Sequence, residues 1–193
     1  MLWKSDSGRL PIQKDKMRKL SLKELGRISV EEFKTIEKLP IAIVIDNIRS
    51  ALNVGSAFRT ADAFAIEKIY LLGISAQPPH REILKTAIGA TDSVDWEYHK
   101  DEKSLKQALE IDKFKLIAIE QAENSTLLSD FIPEKAARYA LIFGNEVSGV
   151  SQSLMDEVDV CLEIPQFGTK HSLNISVSLG IVVWDLYSKL EKL

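Results

Sequence analysis

The sequence predicts an α/β domain: a mostly parallel sheet with helices on both faces. Three observations carry this. Short apolar runs such as Ile41–Ile45, Lys115–Ile119 and Tyr139–Phe143 recur along the chain, continuous rather than alternating, as in strands buried on both faces. Segments with helical spacing of apolar residues lie between several of the runs. Most of the runs end in a polar turn. In open sheets of this kind a ligand sits beyond the carboxyl ends of the strands, so the turns after Ile45, Phe143 and Ile164 are expected to converge on one site.

Taken in order, residues 1–16 are polar, contain Gly8 and Pro11, and show no periodicity, so a flexible lead-in is expected. Leu22, Leu25, Ile28, Phe33 and Ile36 suggest one or two short helices between Ser21 and Glu37, with Ser21 and Glu24 matching a capping box. Residues 1–38 are accordingly read as a basic N-terminal extension and residues 39–193 as the main domain. Ile41–Ile45 is the first strand. The stretch DNIRSALNVGS breaks it, and a helix follows over Ala57–Phe64. Strands are expected at Lys68–Leu72, Val94–Tyr98, Lys115–Ile119 and Tyr139–Phe143, with helices at 81–89 and 104–111. The segment Asp159–Leu193 closes the chain: a strand over Val160–Ile164, a stop at Pro165, a polar loop over Gln166–His171, and a helix from about Asn174 to Leu190 with Ser172 as its N-cap. Free backbone N–H groups and the helix dipole make the head of such a helix a cradle for anionic or polar ligands. That helix is apolar on more than one side. Ile175, Leu179, Val182, Leu186 and Leu190 form one stripe, while Val177, Ile181 and Trp184 lie off it, as in a helix covered by its own core and by a second subunit. Trp96 and Trp184 read as core or interface packing.

A chain of 193 residues with 45% hydrophobic and 27% charged side chains is a folded globular protein. No apolar run approaches the roughly 20 residues of a membrane helix, and the N-terminus has no hydrophobic leader segment. The single cysteine, Cys161, falls in an expected strand and reads as an inert thiol in a reducing cytoplasm. The net charge of −3 hides an asymmetry: residues 1–27 carry +5 and the remainder −8. A basic arm on an acidic body is either a solvated leader or a phosphate-binding arm.

Several chemistries are excluded. No G-x-G occurs, so the dinucleotide fingerprint is missing. Gly144–Ser151 has the glycine spacing of a phosphate-binding loop, but Val150 stands where its lysine would be. There is no G-x-S-x-G elbow, and His80, His99, His171 and Cys161 have no metal-ligand spacing. What remains are polar turns rich in Asn, Gly, Ser, Glu and Arg, suited to positioning a substrate against an already activated reagent.

Together these turns resemble a known family. Asn53-Val54-Gly55-Ser56-Ala57-Phe58-Arg59-Thr60-Ala61 is similar to the first motif of the SpoU (TrmH-like) branch of the SPOUT RNA methyltransferases. Phe143-Gly144-Asn145-Glu146-Val147-Ser148-Gly149 resembles the second, and Ile164-Pro165 with Ser172-Leu173-Asn174 the third. Order and spacing fit over roughly residues 40–190. The resemblance implies S-adenosylmethionine-dependent 2′-O-methylation of an RNA ribose without a metal. It also implies a C-terminal trefoil knot and a homodimer whose active sites draw on both subunits.

By the same resemblance, Arg59 is the catalytic arginine. A guanidinium with a pKa above ~12 is a poor base, so orientation of the 2′-hydroxyl and a substrate phosphate is its expected task. Asn53 is expected to hold substrate or Arg59, Glu146 to anchor the loops, and Ser172 and Asn174 to line the reacting centre. The cofactor is expected on Phe143, Gly144, Asn145, Ile164, Gln166, Ser172 and Leu173, with Gln166 replacing the family's usual methionine. RNA contacts are expected from Arg59, Lys170, Arg49, Lys16, Arg18 and Lys19, with Arg81 and Lys85 as further patches and His171 as a phosphate contact or exposed loop residue. tRNA is expected ahead of rRNA because no large separate RNA-binding domain is evident. The alternatives are a non-catalytic RNA-binding or assembly protein on the same fold, and a base methyltransferase.

Overall fold

The computed structural model describes residues 17–21 and 23–190. Its centre is a seven-stranded, wholly parallel sheet: β1 (Leu39–Asp46), β2 (Ile66–Leu72), β3 (Trp96–His99), β4 (Lys115–Ile119), β5 (Thr126–Leu127), β6 (Tyr139–Phe143) and β7 (Val160–Glu163), in the order β3-β2-β1-β6-β4-β7-β5. β1 and β6 run at its middle and are buried on both faces, which is why they read as unbroken apolar runs. Ile41, Ile43 and Ile45 point to one face, under α2 (Ala51–Ala63), α3 (Arg81–Ala87), α4 (Ala90–Ser93) and α7 (Ile175–Leu190). Ala42 and Val44 point to the other, under α5 (Glu102–Ile111) and α6 (Gln152–Met155). The expected strands are all present, within about two residues at their ends.

Three local expectations are corrected. The Ser21–Glu24 pairing forms, with Ser21 N and Oγ both donating to Glu24 Oε2, but it closes an isolated turn rather than a helix. The helix there is the six-residue α1 (Val30–Thr35), capped by Ser29; its Phe33 joins the main core, so the N-terminal extension is partly packed on the domain.

Second, α2 begins at Ala51, not Ala57. Ser50 caps it by accepting from Asn53 N, and Ala51, Val54, Ala57, Phe58 and Ala61 form a buried face through what reads as a loop. Gly55 is there to make room: a Cβ would stand 2.0 Å from Thr86 Oγ1 and 2.5 Å from the Ile83 carbonyl.

Third, Ser172 does not cap α7. Asn174 does, accepting from Ser176 N at 2.9 Å and Ser176 Oγ at 2.6 Å. An Asn immediately ahead of the first helical residue reaches the N2 amide; a serine two residues further out does not. Finally, β5, α4 and α6, of two to four residues, are too short to show a period. The expected lead-in at residues 1–16 lies outside the described residues.

α7 buries Leu179, Val182, Val183 and Leu186 against the core, and the chain folds back far enough for Lys189 Nζ to reach the Leu128 carbonyl. The other side is bare. Val177, Ile181 and Trp184 are exposed, and Trp184, 58% accessible, makes tilted ring contacts with Phe64 and Tyr187. Trp96 packs edge-on against Phe58 in the core. Among the described residues, no helix is long and apolar enough to cross a membrane.

Candidate active site

Strand register brings the functional loops together. Ile45 pairs with Phe143, Phe143 with Ile119, and Ile119 with Leu162, so β1, β6, β4 and β7 end at one level. The loops after β6, β4 and β7 enclose an opening beyond these ends, while the loop after β1 is tied to the loop after β6.

The loop after β6 is held in an unusually tight form. Asn145 and Gly149 exchange two backbone hydrogen bonds of 2.9 Å, and Asn145 Oδ1 accepts from the amides of Val147 and Ser148. Gly144 is required by crowding: a Cβ would sit 2.0 Å from Val150 N and 2.1 Å from the Gly149 carbonyl carbon. Gly149 takes φ +69°, where a side chain would also meet Glu120 Oε2 at 2.2 Å. Below the loop, Asp46, 1% accessible, accepts from Ser151 N at 2.8 Å and from Asn47 Nδ2, while Asn145 Nδ2 donates to the Asn47 carbonyl at 2.6 Å. The ends of β1 and β6 are thereby locked to each other.

Glu146 bridges this loop to the head of α2. Its carboxylate accepts from the amides of Arg49 and Ser50 and from Asn53 Nδ2, each at 3.3 Å. Burial opposes its ionisation, but the amide hydrogen bonds of Glu146 itself, Arg49 and Ser50, with that of Asn53, outweigh it and hold the carboxyl below its ordinary range. Asn53 Oδ1 in turn accepts from Asn174 Nδ2 at 3.3 Å. One side-chain relay, Glu146–Asn53–Asn174, thus ties residues from three distant parts of the sequence at the head of α2 and the head of α7.

Beside the relay lies a cavity of about 500 Å³. Its floor is Phe143, Ile119 and Ile164, and Gly144, Asn145 and Glu146 form one wall. Gln166, Ser172, Leu173 and Asn174 form another, with His171 at the margin. Every residue assigned to the cofactor from sequence therefore lines one cavity. The volume and the apolar floor with polar, backbone-rich walls suit a nucleoside-sized ligand. Ser172 is exposed and its hydroxyl makes no hydrogen bond within the described residues.

Two contributors were missed from sequence. Glu120 Oε2 accepts from Val150 N and fixes the Gly149 turn; Gln121 Nε2 donates to the His171 carbonyl at 2.7 Å and ties down the last loop. Both follow β4, and the rule that ligands gather beyond strand ends, applied to that strand as well, finds them.

Arg59 is not in this cavity. It stands farther along α2, exposed, on a separate groove of about 420 Å³ that it shares with Lys85 and Thr86 of α3. Of the other expected RNA contacts, Arg49 and Lys170 are exposed near the site, Lys19 is exposed on the N-terminal segment, and Arg18 is paired with Glu24 at 2.6 Å. Lys16 lies outside the described residues. Among the described residues no cluster of His, Cys, Asp and Glu could hold a metal.

The model of the SpoU rRNA Methylase family matches residues 40–184, which takes in β1, the loop after β6, the last loop and most of α7. The chain belongs to the SpoU rRNA methylase family. Among relatives, the 23S rRNA (guanosine-2′-O-)-methyltransferase RlmB of Neisseria meningitidis is 27% identical over 144 residues, 75% of this chain and 56% of that protein. A tRNA (guanosine(18)-2′-O)-methyltransferase of Borreliella burgdorferi is 23% identical over 152 residues, 79% of this chain and 68% of that protein. The chain thus spans between about half and two thirds of the length of these SpoU relatives. The fold agrees with solved structures: the SpoU methyltransferase AviRb of Streptomyces viridochromogenes, in complex with AdoMet, superposes with a TM-score of 0.74 at 18% identity, covering 83% of this chain and 64% of that one. The A. aeolicus TrmH/SpoU tRNA modifying enzyme gives 0.72 at 21% identity, covering 84% and 81%.

Proposed function

We propose that this SpoU-family protein methylates the 2′-hydroxyl of an RNA ribose, with S-adenosylmethionine as donor. The observation that carries the proposal is the Glu146–Asn53–Asn174 relay at the edge of the 500 Å³ cavity, since it joins a nucleoside-sized site to polar groups that can grip a substrate. The donor would lie on Phe143, Gly144 and Asn145 on one side and Ile164, Gln166, Ser172 and Leu173 on the other. When bound, it supplies a methyl group on a sulfonium: the 2′-oxygen forms the new C–O bond, the C–S bond breaks to leave the neutral thioether, and the hydroxyl proton passes to solvent. The protein's task is alignment, and precise placement of two reactants can account for a large share of such a barrier. Asn53 and Asn174 offer amide groups for the ribose, with Ser172 beside them. Glu146 keeps Asn53 from turning away.

The location of Arg59 bears on the assembly. Separated from its own chain's cavity, it is available to a second subunit, and the bare Val177–Ile181–Trp184 face of α7 is the surface a homodimer would cover. We therefore read Arg59 as completing the partner's site, orienting the hydroxyl and a substrate phosphate. The return of α7 across the sheet, with Gln121 holding the last loop, supports the expected trefoil knot.

tRNA is the substrate class placed first, since the tRNA-modifying Borreliella relative shares more of its own length with this chain than the rRNA-modifying Neisseria relative does, 68% against 56%. The test is calorimetric titration with S-adenosylmethionine, followed by label transfer to separate pools of unmodified tRNA and rRNA. Saturable binding and transfer to one pool, abolished in Arg59→Ala with the fold retained, is the expected outcome. A protein that binds no cofactor and transfers no label is instead a non-catalytic RNA-binding member of the fold.

A further inference from the structure

We infer that the groove between α2 and α3 is a phosphodiester site for the RNA backbone, in which Lys85 and Thr60 act beside Arg59; this rests on the reading that the protein acts on RNA. The groove is separate from the cofactor-sized cavity and has about 420 Å³ of space. Arg59 and Thr60 form one side, Lys85 and Thr86 the other, and Phe64 closes one end. No carboxylate lines it, although the chain outside residues 1–27 is strongly acidic.

Its charged groups are unspent. Lys68, Lys106, Lys115 and Arg138 are each paired with a carboxylate. The Arg59 guanidinium, the Lys85 ammonium and the Thr60 hydroxyl have no hydrogen-bond or ion-pair partner among the described residues. Two cations facing one groove repel each other, and an anion held between them turns that repulsion into two charge-assisted contacts. The neighbouring Ser56 and Thr86 hydroxyls already donate to the Leu52 carbonyl, at 2.9 and 3.1 Å. The donors free for a ligand are therefore Arg59, Lys85 and Thr60, an arrangement suited to the oxygens of one phosphate.

The groove is built by sequence. With Gly55 at the contact, α3 can come so near that a Cβ would overlap Thr86 and the Ile83 carbonyl, and this brings Lys85 to the same groove as Arg59. A residue with a side chain at position 55 would push α3, and its lysine, away.

The test measures binding of a fluorescein-labelled tRNA transcript over a series of salt concentrations, with methyl transfer assayed in parallel. Lys85→Ala is expected to weaken binding roughly fivefold at low salt and to reduce the slope of log affinity against log salt by about one. Its loss in transfer falls on KM, and S-adenosylmethionine affinity and melting temperature match the wild type. Lys85→Arg is expected to keep the wild-type slope. An alanine variant whose affinity and slope equal the wild type overturns the site, even where the wild type methylates the transcript. A wild type that transfers no methyl, with the slope still reduced in Lys85→Ala, leaves the phosphate site standing and removes the enzymatic reading instead.

Discussion

Glu146→Gln keeps the size of the side chain and removes its charge. In the native site the carboxylate receives three donors, the amides of Arg49 and Ser50 and Asn53 Nδ2, each at 3.3 Å. A glutamine has one acceptor oxygen, so at least one donor would face an NH2 group. Hydrogen bonds to a charged group contribute about 1.5–3 kcal/mol in good geometry, and long bonds at an exposed carboxylate less, about 1 kcal/mol. Loss of a negative charge at the N-terminus of α2 adds roughly 0.5 kcal/mol. The sum, about 1.5 kcal/mol, corresponds to a fall of about 3–6 °C in melting temperature for a chain of this size. Transfer should fall further, about tenfold or more, because Asn53 is then free to turn away from the ribose. The carboxyl is held below its ordinary range, so its contribution is complete above the unfolded carboxylate pKa of about 4.3 and is lost as pH falls through the depressed folded value. The variant should therefore lose less stability than the wild type on acidification through that interval. Thermal melts across pH and steady-state transfer check both parts. A glutamine variant that melts and transfers like the wild type would refute the anchoring role.

Other perturbations have equally definite outcomes. Gly149→Ala puts a side chain at φ +69° and 2.2 Å from Glu120 Oε2, so it should cost about 1–3 kcal/mol and weaken S-adenosylmethionine binding measured by calorimetry. Gly55→Ala should cost a similar amount, about 1–3 kcal/mol by chemical denaturation, as α3 is forced from α2. Trp184→Glu, at an exposed position in the single chain, should give a folded species near 21.6 kDa by light scattering where the wild type gives twice that. Co-expressed Arg59→Ala and Asn174→Ala chains should recover roughly a quarter of wild-type transfer, because half of the randomly mixed dimers carry one intact shared site of two. Sites formed within one chain would recover none.

The readability of this fold follows from where its burial lies. β1, β4 and β6 were legible because central parallel strands covered on both faces leave unbroken apolar runs, and their ends locate the crevice. The start of α2 was not, because Gly55 reads as a breaker when its cause is a contact with Ile83 and Thr86 of α3. Asn174 was legible as a polar residue heading an apolar helix; its cap is local, from Ser176, but its place in the relay depends on Asn53 at the head of α2. β5 has no pattern of its own; it is a strand only because β7 offers an edge to Thr126 and Leu127. The separation of Arg59 from the cavity was invisible for a related reason. Motif spacing fixes a position along a helix, while the direction a side chain faces is set by how that helix packs on the sheet.

The position of the transferred methyl group tests ribose methylation most directly. RNA labelled by the purified protein is digested completely to nucleosides, which are separated and fragmented by mass spectrometry, with a parallel alkaline digest. Ribose methylation leaves the added mass on the sugar fragment and makes the labelled linkage resist alkali, as a blocked 2′-oxygen requires. Label on the base fragment, with the linkage cleaved normally by alkali, would contradict it.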